Sequence, residues 1–137
     1  MISKPVVLLT VAAALWIQGP VFAHHSSAAF DAGKKVILKG TVKEWVYSNP
    51  HCFLILEVKG EGGEVVVWTN ETQAPSVIFA VGYRRDTFKF GQQVTVTVEP
   101  FKNSQPFGRI LGVMFPDGKV LGPAVGPPPT AAAAPQP

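Results

Sequence analysis

The stretch Lys34–Val46, KKVILKGTVKEWV, decides the fold. Val36, Leu38, Val42 and Val46 occupy even positions, and Lys35, Lys39, Thr41 and Lys43 alternate with them. A period of two describes a strand with one buried and one wet face; a helix would return apolar residues every three or four positions. Gly40 has no side chain to pack and predicts a bend or bulge within the run, the device by which a small sheet curls.

Outward from this strand the same period recurs. After the Ser48-Asn49-Pro50 break, HCFLILEVKG (51–60) sets Cys52, Leu54, Leu56 and Val58 on one face. Gly60–Gly63 supplies a turn, and the run Val65–Thr69 completes a three-strand meander. Pro75 suits a first helical position, with Val77, Ile78 and Val81 on one side and Gly82 just past the end. Gln93–Glu99 alternates through Val94, Val96 and Val98, and Arg109–Phe115 forms a last strand before the Pro116-Asp117-Gly118 turn. The order β-β-β-α-β-β, with the helix between the third and fourth strands, is that of an OB-fold. The expected class is therefore all-β with one short helix, an OB-fold-like five-stranded barrel over residues 34–122. A sandwich of the same strands competes with it, since periodicity does not fix strand pairing. The predicted core is Val36, Leu38, Val42, Leu54, Leu56, Val58, Val94, Val96 and Val98, with Cys52 buried beside it as a core thiol.

The two ends differ from this middle. Lys4 precedes an apolar run, Val6–Ile17, too short to cross a bilayer as a stable helix, and Gly19-Pro20 ends it before Val21-Phe22-Ala23. Residues 1–23 read as a signal peptide cleaved after Ala23, so the expected product is periplasmic or secreted, with no stable membrane span after processing. Residues 24–33 are an N-terminal arm, and residues 123–137, PAVGPPPTAAAAPQP, are expected to be a disordered Pro/Ala-rich tail.

A chain of 137 residues bounded in this way holds one ordinary domain. Lys and Arg number 12 against 9 Asp and Glu, without the clustering that a phosphate backbone needs, so no nucleic-acid partner is expected. The single cysteine forbids an intrachain disulfide and a multi-thiolate zinc site. Enzymatic constellations are thin: there is no P-loop, Gly-x-Gly-x-x-Gly, Cys-x-x-Cys or Gly-x-Ser-x-Gly, and Glu44, Glu57 and Glu71 lie on different strands. No catalytic residue is assigned, and an enzyme is the less favoured class. Opposite the core parity lie Ile37, Lys39, Lys43, Trp45, Tyr47, Phe53 and Ile55, a mixed aromatic and basic face of the kind OB-folds use for stacking.

The histidines carry the most specific chemistry. Cleavage after Ala23 makes His24 the terminal residue, offering an amine and an imidazole nitrogen, with His25 next and His51 just after the Asn49-Pro50 turn. The two nitrogens of His24 and one imidazole nitrogen of His51 make a three-nitrogen set suited to Cu(II), with His25 or Glu71 as an outer or fourth ligand, so His24, His25 and His51 are the candidate metal ligands.

His24-His25-Ser26 leading to Phe30-Asp31, then Lys39-Gly40-Thr41-Val42, Asn49-Pro50-His51, Trp68 with Glu71, and Gly82-Tyr83-Arg84-Arg85-Asp86 occur in order. This series resembles a family of small exported proteobacterial proteins of unknown function over roughly residues 24–121, departing from it at Phe90 and Gln92. The resemblance implies export and a compact β-rich domain, and it adds Trp68, Glu71, Arg84 and Asp86 as candidate ligand-binding positions. The expected role is a periplasmic binding module for a metal ion, copper first, or a small ligand. An accessory subunit of a periplasmic complex and a copper-dependent oxidoreductase are the alternatives. The intact mass of protein recovered from the periplasm is expected to equal that of residues 24–137; a product beginning at Phe30, or one retaining Trp16, would remove the terminal imidazole.

Overall fold

Strands β1 (Val36–Val46), β2 (Cys52–Lys59) and β3 (Val65–Thr72) form the expected meander, and a single-turn helix α1 (Pro75–Ile78) follows. Strands β4 (Gln93–Pro100), β5 (Phe107–Met114) and β6 (Val120–Leu121) complete the order. The structure is a computed structural model and describes residues 27–123; the expected signal peptide, His24, His25 and the tail from residue 124 onward lie outside the described residues. Hydrogen-bonded neighbours run β3-β2-β1-β4-β5-β6, and a further pairing joins β3 to β5. Five strands thus close into the ring β1-β2-β3-β5-β4, with β3 and β5 parallel and the other neighbours antiparallel. This is an OB-like barrel, not a sandwich, because one sheet closes on itself. Among the described residues no helix is long and apolar enough to cross a membrane.

The closure depends on β1 serving two partners. Its residues Val36–Thr41 pair with β4, and Gly40–Val46 pair with β2, so Gly40 and Thr41 belong to both ladders. A Cβ on Gly40 would lie 3.0 Å from the Glu57 carbonyl oxygen and 3.2 Å from Leu56 Cβ. The glycine therefore permits the close approach of β2. The bulge expected at Gly40 sits instead between Val42 and Glu44, where the register shifts. Before it Val42 opposes Leu56; after it Trp45 opposes Leu54 and Val46 opposes Phe53. The extra residue reverses the parity of the strand's end. Trp45 and Tyr47, expected on an outer binding face, consequently pack against the core, and Val46 gives up its expected inward place.

The core follows the predicted parity elsewhere. Leu38, Val42, Leu54, Leu56, Val94, Val96 and Val98 are buried, as is Cys52, while Val36 and Val58 are half-buried and pack against them. Burial pushes the Cys52 thiol up. Trp45, Tyr83, Phe88 and Phe115 plug one end: Phe88 meets Trp45 edge-on at 4.9 Å and stacks on Phe115 at 5.6 Å. The helix departs from expectation. It lasts one turn and buries Ile78, while Val77 and Val81 remain exposed, because four residues are too few to carry an apolar stripe. Gly82, at φ +109°, then turns the chain, and the Tyr83 amide bonds back to the Ile78 carbonyl. β6, which the periodicity does not announce, pairs with β5 and buries Leu121.

Leu56→Ala is expected to cost about 2 to 5 kcal/mol through the cavity it leaves. Ile37→Ala, at a position 37% exposed, should cost well under about 1 kcal/mol. Urea midpoints compare the two, and equal losses would contradict the register.

Candidate functional site

Three residue pairs form the parallel β3–β5 ladder: Thr69 with Phe107, Asn70 with Gly108, and Glu71 with Arg109. Trp68, Asn70 and Thr72 oppose Leu56, Leu54 and Cys52, which are buried, so their parity points into the barrel and Glu71 points outward. Glu71 is nevertheless only 7% exposed. His51 stands one residue before β2, after a cis Asn49–Pro50 peptide, and the pairing of Cys52 with Thr72 brings it alongside Glu71. Its Nδ1 bonds to Glu71 Oε1. The second carboxylate oxygen, Oε2, is buried without a hydrogen-bond partner. A buried polar atom left without its bond costs about 1 to 3 kcal/mol, more when charged, so a cation or donor reaching it would be stabilised.

The N-terminal arm is anchored on the same side. A 3₁₀ turn at Ser27–Ala29 leads to Phe30, which is 4% exposed and bridges to Phe101. The Asp31 amide donates to the Pro100 carbonyl at 2.9 Å, and the Lys102 amide donates to the Ala29 carbonyl at 3.1 Å. Phe30 meets Phe101 edge-on at 4.8 Å, and the Arg109 guanidinium lies 4.9 Å from the Phe30 ring centre. Burial of such a ring contributes about 1.5 to 3 kcal/mol, and the cation contact about 0.5 to 1 more. Arg109 is itself held from below, its Nε donating to Glu99 Oε2 at 2.9 Å.

Between arm, helix and ladder lies a cavity of about 450 Å³. His51, Glu71, Thr72 and Arg109 line its polar part; Phe30, Ile78, Val81, Tyr83, Ile110 and Leu111 line its apolar part. Ser27 and Pro123, the two ends of the described chain, both reach it. Of the seven positions singled out from sequence, the structure brings together His51 and Glu71. His24 and His25 lie outside the described residues. Trp68 opposes Leu56 and packs against the core. Arg84 caps the helix end, its Nη1 donating to the carbonyls of Phe79 and Tyr83, and its guanidinium lies 3.6 Å from the Phe79 ring centre. Asp86 is exposed on the following loop. None of these three is among the described residues that line the cavity. Arg109 and Ile110 carry no motif that singles them out, since only the β3–β5 pairing brings them here, and Tyr83, within the Gly82–Asp86 series, is brought in by the turn at Gly82. Among the described residues no group of three or more His, Cys, Asp and Glu is placed to hold a metal ion.

A family model matches residues 12–109, well over half of the chain. The chain belongs to DUF6152, a family of unknown function. No curated protein and no solved structure matches it. The DUF6152 match runs from before the arm to Arg109, so it takes in the His51–Glu71 pair and the whole β3–β5 ladder.

Burial holds the Tyr83 phenol well above its ordinary range. The unfolded chain releases this proton from about pH 10, while the folded chain retains it. The unfolded state then binds fewer protons, and stability is lost as pH rises above that point. Urea titrations at pH 8 and pH 11 should therefore show a fall for the wild type that is smaller in Tyr83→Phe. Equal falls would mean that the phenol is not desolvated.

Proposed function

We propose that this protein is an exported binding module that works in the periplasm or outside the cell, and that its cavity takes a copper(II) ion. One observation carries the reading: a buried carboxylate with an unpartnered oxygen holds His51 in place where the N-terminal arm meets the barrel. His25 and His24 precede Ser27 by two and three residues, a reach of roughly 10 Å, so the anchored arm starts within range of the pair. The Nδ1 bond to Glu71 fixes the imidazole's orientation, the usual task of a carboxylate behind a metal-bound histidine. His24, His25 and His51 would supply nitrogens, and Glu71 would balance part of the charge. Nitrogen-rich ligation favours copper over zinc by the Irving–Williams order. Binding, not turnover, is the proposed role, since the described residues show no nucleophile paired with a base.

Cu(II) titration of the processed protein tests this beside His51→Ala and a form carrying one extra N-terminal residue. Both changes are expected to weaken binding by at least about tenfold, since each removes one nitrogen of the set. Equal affinity for the wild type and His51→Ala would mean that the terminus alone holds the ion, and the two-segment site would fall.

A further inference from the structure

A metal ion held by His51 and Glu71 would occupy only the polar end of the cavity. Its volume of about 450 Å³ lies in the range of sites for small organic molecules, and six of its walls, Phe30, Ile78, Val81, Tyr83, Ile110 and Leu111, are apolar or aromatic. We propose that this cavity is a binding site for a small organic ammonium with an aromatic or branched aliphatic body. The ammonium would sit at Glu71 and the body against Ile78, Tyr83 and Ile110. This inference uses the same cavity as the metal reading but requires neither copper nor the processed N-terminus.

The charge pattern selects the ligand class. Arg109 also lines the cavity, but its guanidinium is paired with Glu99, which is 12% exposed in its side chain, and lies under Phe30. Its charge is thereby offset within the protein. Glu71 has one oxygen bonded to His51 and one buried oxygen without a donor, so the wall has acceptor capacity to spare. An organic anion would meet that carboxylate with repulsion, and an uncharged hydrophobe would leave the oxygen unmatched. A bare divalent ion would leave the apolar walls unmatched. A protonated amine with an apolar body satisfies both halves, its N–H groups donating to the carboxylate while the body leaves water.

The test uses phenethylammonium, phenethyl alcohol and 3-phenylpropionate as probes. They are titrated calorimetrically in the presence of EDTA into the full chain carrying one extra N-terminal residue, a form in which the copper reading is disabled. The ammonium is expected to bind at least about tenfold more tightly than the carboxylate. Glu71→Gln, which keeps the shape and removes the charge, should abolish that preference. Val81→Trp adds bulk at a lining position that is 46% exposed, where the barrel core is not disturbed, and should weaken the amine at least about tenfold. Absence of ammonium binding at millimolar concentration, equal affinity for the ammonium and the carboxylate, or unchanged binding in Val81→Trp would each overturn the proposal. If Glu71→Gln does not fold, Val81→Trp and the probe comparison decide it. A protein that binds the amine but shows no two-segment copper site leaves this inference standing and removes the metal reading, and the reverse result does the opposite.

Discussion

The short parallel ladder between β3 and β5 is the constraint on which the rest depends. It joins Thr69–Glu71 to Phe107–Arg109 over three residue pairs, whereas β2 and β3 share eight. Without it the sheet would remain open, with β3 as an exposed edge. With it the ring closes, and Glu71 and Arg109 become neighbours on the outer face of the seam. The carboxylate that anchors the candidate site is therefore a product of closure. The same seam places Asn70 inside, where its amide donates to the Leu54 carbonyl at 3.0 Å.

Closure alone does not make a cavity. The arm must return across β4, and it does so through Phe30, two backbone hydrogen bonds and the contact with Arg109. That contact links the arm to the seam, because Arg109 belongs to the ladder and is held by Glu99. The exposed Lys43–Glu57 pair, with both side chains nearly half accessible, contributes about 0 to 1 kcal/mol and shapes nothing nearby. Buried aromatic surface and backbone bonds therefore outweigh surface charge in positioning the arm. The arm, the turn at Gly82 and the end of β6 then surround a space that no single element encloses.

The barrel was legible because its strands bury one face each, and valine and leucine at alternate positions record this directly. The order of elements was enough to name the architecture, and the core parity holds through Leu38, Leu54, Leu56 and Val96. Trp45 shows where that reading stops. Lys43 and Glu44 are both polar, so a bulge between Val42 and Glu44 leaves no trace in the pattern, yet it turns Trp45 inward. Val81 departs from the pattern because the helical period stops at Ile78, and Val77 stays exposed because a single turn buries only Ile78. Of the site, His51 and Glu71 stood out by motif, while their contact required knowing that Cys52 opposes Thr72. Arg109 was invisible because its role comes from pairing between strands that are nearly forty residues apart.

Phe30 pins the N-terminal arm so that the chain enters the fold beside the His51–Glu71 pair. A nitroxide attached at Ser27→Cys in a Cys52→Ala background measures this through paramagnetic broadening of backbone amide signals. Strong, selective broadening is expected at His51, Thr72 and Arg109, and it is lost when Phe30 is replaced by alanine. Uniform weak broadening across the barrel, or a pattern unchanged by Phe30→Ala, would contradict it.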